Sequence, residues 1–218
     1  MDHVSSHLFV TEIFHSIQGE STFAGQPCVF VRLTGCRLRC TWCDTPYAFS
    51  GGTRMTVDAI IQEVQRVQTP LVEITGGEPL DQPETLGLIS RLCDHRFTVL
   101  LETSGAIDIA PVDPRAHVIL DVKCPGSGMT DRMHWANLEC LTEKDEAKFV
   151  IKDRFDYDWA VDVVNRHQLS DRCTVLFSPV FGELSLQSLA EWILQNRLPV
   201  RFQIQLHKYI WDPQMRGV

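Results

Sequence analysis

The chain has no apolar run long enough to span a bilayer, no opening stretch with the basic, apolar, small-residue order of an export signal, and no cluster of Lys and Arg. The first absence excludes a helical membrane span, and with the second the expected location is the cytoplasm. The third, together with a formal net charge of −8 over 218 residues, excludes a general nucleic-acid binder, because phosphate recognition needs clustered cations. Repeats, linkers and low-complexity segments are also missing, so a single domain over residues 1–218 is expected.

A further absence concerns cysteine. Cys36, Cys40 and Cys43 stand in "GCRLRCTWC" in a C-x3-C-x2-C arrangement, and no Cys-x2-Cys or His-x3-5-His pair follows to complete a tetrahedral zinc site. In a reducing compartment eight cysteines are not expected to form disulfides, so a tight cluster reads as metal-binding or catalytic. Cys28, Cys93, Cys124, Cys140 and Cys173 are scattered and read as small buried side chains or surface thiols. Three thiolates can hold three irons of a four-iron four-sulfur cluster and leave the fourth open to an outside ligand. On spacing alone, a zinc site finished by a distant residue and three unrelated thiols both remain open.

What is present is an alternation of short apolar runs and amphipathic helices from Pro27 to about His207. Strands are expected at "PCVFVRLTG", "PLVEITG", "RFTVLLET", "HVILDVK", "AKFVI", "CTVLFSPV" and "PVRFQIQL". Helices are expected at "TVDAIIQEVQRV", "PETLGLISRLC", "DYDWAVDVVNRHQL" and "LQSLAEWILQNR". Strands apolar on both faces and separated by helices imply a parallel α/β sheet, open or partly closed into a barrel, with ligand chemistry at the strands' C-terminal ends. The polar clusters fall there: the cysteines follow "VFVRLTG", "GGEP" follows "LVEIT", "ETSG" follows "FTVLL", "DVK" closes "HVIL" and "SP" closes "CTVLF". Gly76 and Gly77 allow close backbone approach and the Glu78 carboxylate can attract an ammonium; Ser104, Lys123 and Ser178 offer two hydroxyls and a cation at the same mouth.

The three-cysteine pattern with Trp42 before its last member, followed by "GGEP", resembles the radical S-adenosylmethionine superfamily. Within it, "EIFHSIQGES", "VFVRLTGC", "CDTPY" and "QLHK", in that order from Glu12 to Lys208, resemble the 7-carboxy-7-deazaguanine synthase family. The resemblance implies an incomplete TIM-type parallel barrel of about six strands with outer helices. It also implies a substrate-binding segment over about 8–25 and a C-terminal tail over about 208–218. The implied activity is that of a carbon-nitrogen lyase turning 6-carboxy-5,6,7,8-tetrahydropterin into 7-carboxy-7-deazaguanine with loss of ammonia, on the route to queuosine. The implied cofactors are a 4Fe-4S cluster on Cys36, Cys40 and Cys43, S-adenosylmethionine on Trp42, Gly76, Gly77, Glu78, Ser104, Lys123 and Ser178, and magnesium on Thr45, with Asp44 behind it. Gln18, Glu20, Arg32 and Thr75 would then meet the pterin.

Relatives of that kind often carry Gly where Ser21 stands, and some end soon after "HKY", whereas here the chain runs on as "IWDPQMRGV". Asp212 or the tail itself would replace a substrate-binding terminus. An external electron donor such as a flavodoxin or ferredoxin is implied, and open sheet edges point to a homodimer. The rival readings are a glycyl-radical-enzyme activating enzyme, which needs a protein partner and no pterin pocket, and a non-catalytic iron-sulfur or zinc module.

Overall fold

The computed structural model describes residues 6–218; residues 1–5, which the single-domain expectation includes, lie outside it. The chain forms β1 (His7–Ile17), β2 (Pro27–Leu33), β3 (Thr53–Thr56), α1 (Val57–Val67), β4 (Leu71–Gly76), α2 (Thr85–Asp94), β5 (Thr98–Thr103), β6 (His117–Val122), α3 (Asn137–Cys140), β7 (Glu146–Ile151), α4 (Arg154–Arg166), β8 (Thr174–Pro179), α5 (Leu186–Asn196), β9 (Arg201–Phe202) and α6 (His207–Ile210). The four long helices lie where the apolar periodicity puts them. Three begin at a side chain that accepts a backbone N–H: Thr56 from Ala59, Asp153 from Asp156 and Ser185 from Ser188. Each such cap contributes about 1 kcal/mol.

The strands make one sheet in the order β3-β1-β2-β4-β5-β6-β7-β8-β9, and it does not close. From β2 to β9 every neighbouring pair is parallel, so the six expected strands, β2 and β4 to β8, are its body. The flanks differ from expectation. Residues 7–17, read only as part of a substrate-binding segment, are an eleven-residue strand antiparallel to β2, with β3 antiparallel beyond it. Conversely "PVRFQIQL" shrinks to a two-residue β9. The Leu206 N–H donates to Gly19 O at 2.9 Å, drawing this stretch off the sheet and across to the N-terminal segment.

The expectation of strands apolar on both faces holds for only part of each strand. One face carries Val29, Val31, Val72, Ile74, Val99, Leu101, Val118, Leu120, Phe149 and Phe177, all packed in the core that the helices cover with Ile60, Val64, Leu88, Leu92, Tyr157, Val164 and Leu189. The other face has an apolar floor of Cys28, Phe30, Leu71, Leu100 and Ile119, with Phe14 stacked on Phe30 at 4.8 Å. Towards the strands' C-terminal ends this inner face turns polar, with Arg32, Thr75, Glu102, Asp121 and Lys148. Strand alternation turns each of these inward while its neighbours enter the helix-covered core.

Candidate active site

The polar end of the inner face opens into a cleft of about 600 Å³. Cys36, Cys40 and Cys43 line it as free, half-buried thiols on the loop after β2. That loop has little regular structure and is held from outside. The Gly35 N–H donates to Ala48 O at 2.8 Å, Thr41 N–H to Ser127 O at 3.2 Å, and Thr41 Oγ1 to Gly126 O at 2.9 Å. Burial is the main cause that pushes the Cys36 and Cys40 thiols up; at Cys40 the Lys123 ammonium opposes it. Among the described residues no three His, Cys, Asp or Glu side chains converge on one ion. Three thiols lining one cleft without converging on a point suit a cluster, in which each thiolate meets a different iron.

The glycine-rich turn presses against this loop. Gly77 N–H donates to Leu33 O at 3.2 Å and Glu78 N–H to Gly35 O at 2.7 Å. A Cβ at Gly77 would overlap Gly35 O and lie 2.7 Å from the Cys36 Cβ, so only glycine fits. Gly77→Ala is therefore expected to cost roughly 1–3 kcal/mol of stability and to lower the iron retained after reconstitution. An unchanged iron count and melting temperature would show that the two loops are free to separate.

Gly76, Gly77, Ser104, Trp42, Thr45, Lys123 and Thr75 face the cleft as the sequence suggests. Glu78 does not. It is fully buried, and its carboxylate accepts hydrogen bonds from Leu80 N–H at 2.9 Å, Thr103 Oγ1 at 2.9 Å, Ser104 N–H at 2.8 Å and the Ser104 hydroxyl. Glu78 thus ties β4's end to β5's, while the turn's backbone and Ser104 line the cleft. Ser178 is buried behind the lining, and its hydroxyl has no partner among the described residues. The Lys123 ammonium is paired with Asp121 at 2.8 Å, and the two together face the cleft.

The N-terminal residues are more constrained than the sequence suggests. Gln18 is buried, donating from Nε2 to Glu73 and accepting Glu20 N–H at 3.1 Å, so its amide braces the turn. Glu20 is held by Lys148 at 2.9 Å and by Gln205 Nε2 at 3.0 Å. Arg32 donates from Nε to Glu12 at 2.8 Å, and Tyr47 donates to the same carboxylate at 2.9 Å. The two terminal nitrogens of Arg32 have no hydrogen-bond partner among the described residues. Asp44, expected behind magnesium, is paired with Lys208 at 3.0 Å.

Sequence reasoning missed two contributors. Lys148 on β7 has a side chain only 4% exposed, in contact with Glu20, Glu102 and, at 3.6 Å, Asp121. Burial opposes its charge, but Glu102, Glu20 and Asp121 outweigh burial and hold its pKa well above the ordinary range. Glu73 lies close by, and burial, reinforced by Glu102, raises its carboxyl well above the usual range. Each was visible as a lone charge inside an apolar strand, in "AKFVI" and "LVEIT". The tail, by contrast, was expected near the site. Residues 213–218 border the cleft, and Arg216 lies 4.0 Å over the Tyr47 ring. Asp212 does not border it and closes a local turn by accepting Gln214 N–H at 2.8 Å.

Residues 30–121 match the family model of the radical SAM superfamily. The fold resembles the crystal structure of QueE from Escherichia coli, with a TM-score of 0.76 at 21% identity over 92% of this chain and 95% of that one. A cysteine-lined cleft at the C-terminal ends of an open parallel barrel, on a chain with this match, defines a radical S-adenosylmethionine enzyme. The chain is 50% identical to the 7-carboxy-7-deazaguanine synthase of Chlorobaculum tepidum over 97% of both chains, and 45% identical to that of Koribacter versatilis over 96% of this chain and 99% of that one. It belongs to the 7-carboxy-7-deazaguanine synthase family.

Proposed function

We propose that the protein converts 6-carboxy-5,6,7,8-tetrahydropterin into 7-carboxy-7-deazaguanine and ammonia, as a carbon-nitrogen lyase of 7-deazapurine biosynthesis. The observation that carries the reading is one cleft lined both by three cluster-type thiols and by a guanidinium with two unpartnered terminal nitrogens. When bound, the 4Fe-4S cluster and S-adenosylmethionine supply the one-electron cleavage that starts hydrogen-atom abstraction from the pterin. Everything else is positioning by the chain. Cys36, Cys40 and Cys43 hold the cluster, and the backbone of Gly76 and Gly77 with Ser104, Trp42 and Lys123 hold the cofactor. Ser178 acts through the wall it packs into and Glu78 through Ser104.

On the substrate side, Arg32 offers its free fork to the pterin carboxylate. Thr45 offers its hydroxyl to magnesium, which binds with few protein ligands when a substrate carboxylate completes its shell. Thr75 hydrogen-bonds Glu102 at 3.2 Å beside the cleft and lies against the pterin ring. Glu20 faces the aminopyrimidine edge, held in place by Lys148 and Gln205, while Gln18 fixes the turn that presents it. The tail closes the mouth and takes the place of a substrate-binding terminus.

The glycyl-radical-activating alternative loses its ground, because the curated relatives match over the whole chain and carry the synthase name. No helix among the described residues is long and apolar enough to cross a membrane. We place the enzyme in the cytoplasm, reduced by a flavodoxin or ferredoxin, acting on no nucleic acid, and dimeric through its open sheet edges.

The test is anaerobic reconstitution with iron and sulfide, followed by reductant, S-adenosylmethionine, magnesium and the carboxypterin, with products followed by mass spectrometry. The deazapurine should appear in many-fold excess over the cofactor consumed. Arg32→Ala should keep its iron and lose about 100-fold in kcat/KM for the pterin, as expected for removing a bidentate carboxylate clamp. Unchanged affinity for the pterin would remove Arg32 from the substrate site.

A further inference from the structure

Arg39 lies in the three-residue spacer between Cys36 and Cys40 and is exposed to solvent, where an arginine side chain ordinarily moves freely in water. Here it does not. Its Nη1 donates to Cys36 O at 2.7 Å and to Leu38 O at 2.6 Å, and its guanidinium carbon sits 4.1 Å over the centre of the Phe49 ring. Its own N–H points to the Met129 sulfur at 3.3 Å. The spacer is neither helix nor strand, so the carbonyls of Cys36 and Leu38 have no ladder to join, and the arginine of the same loop supplies their donor. The neighbouring Arg37 differs: its guanidinium pairs with Asp81 at 2.5 Å, so its charge is neutralised by that carboxylate.

Two consequences follow from these contacts. One terminal nitrogen, Nη1, ties the carbonyls of the first cysteine and of Leu38 to the residue that precedes the second cysteine, which holds the spacer between the two thiols in one arrangement. The same group sets a permanent positive charge against the cysteine backbone, because arginine stays protonated at any working pH. A cluster on three thiolates becomes more negative on reduction, and net charge is one of the quantities that set its potential. We propose that Arg39 is a positioning residue for the cluster: it clamps the cysteine loop through its Nη1 and makes the cluster easier to reduce through its charge. The proposal rests on the cluster reading of Cys36, Cys40 and Cys43.

The experiment compares reconstituted wild-type protein with R39Q, R39K and R37Q by two readouts that do not depend on turnover. These are the cluster's midpoint potential, from a redox titration followed by electron paramagnetic resonance, and the rate of iron loss to a chelator. R39Q should shift the potential to more negative values and release iron about tenfold faster, as expected for losing a charge-assisted, two-acceptor contact. R39K should keep a potential near wild type, since the charge remains, and release iron more slowly than R39Q, since an ammonium can still donate to the two carbonyls that Nη1 holds. R37Q should release iron at the wild-type rate, since the Arg37 guanidinium pairs with Asp81 and donates to no carbonyl of the cysteine loop.

An R39Q potential equal to wild type would overturn the electrostatic half of the proposal, and a wild-type release rate in R39Q would overturn the clamp. The iron count of the wild-type protein is read first. If it assembles no four-iron cluster, the cysteine reading itself fails and the proposal falls with it.

Discussion

Cys40→Ala should reduce turnover of the carboxypterin, and cleavage of S-adenosylmethionine with or without it, roughly a thousandfold or more, to background. The reason is the small number of ligands. Three thiols line the cleft, and no His, Asp or Glu among the described residues stands grouped with them to substitute for a lost one. Cys93→Ala is the matched control. Cys93 sits on α2, partly buried and packed against the core, well away from the cleft lining. Its loss removes one sulfur's worth of packing, about 1 kcal/mol, and leaves iron content and products unchanged. Iron and sulfide analysis with chromatography of 5′-deoxyadenosine checks both variants. Equal activity in the two would mean that the cysteine loop is not where the cluster sits.

Much of this site was legible because its signals are local. Three cysteines within eight residues and two glycines before Glu78 need no knowledge of the fold to suggest a cluster and a close-approach turn. The body of the sheet was legible for the same reason, since each apolar run and each helical stripe is a short-range pattern. What the sequence hid is contact between distant residues. Glu20 and Lys148 are 128 positions apart and Glu102 and Lys148 are 46 apart, so each reads as a lone charge until the sheet brings them together.

The inner face misled for a related reason. Period-two alternation in "LVEIT" and "HVILDV" interrupts the apolar run only once, because the floor of the barrel is itself apolar where Phe30, Leu71, Leu100 and Ile119 meet. The direction of the Glu78 side chain was equally out of reach. A carboxylate beside two glycines suggests a ligand, whereas the structure spends it on Ser104 and Thr103 of the next strand.

Lys148→Met should destabilise the protein before it affects any chemistry. The ammonium is buried between the carboxylates of Glu20, Glu102 and Asp121, none of which is more than 26% exposed. Removing it leaves Glu20 and Glu102 without their cation in a poorly solvated space beside Glu73, while Asp121 keeps its pairing with Lys123. Breaking a buried pair by deleting one partner costs roughly 3–5 kcal/mol, which for a chain of this size lowers the melting temperature by roughly 10 °C. A thermal melt of the iron-free protein measures this directly, without cluster or substrate.

Lys148→Met combined with Glu102→Gln should recover part of the loss, because it removes one of the acids left unpaired, whereas Glu102→Gln alone should cost stability by weakening the pair. Additive losses in the double variant would show that the two groups do not interact and that the wall of the cleft is held by packing alone. If the coupling is present, Lys148 is what joins the N-terminal turn at Glu20 to strands β5, β6 and β7. A charge buried in the sheet then sets where Glu20, the residue proposed to meet the substrate, stands.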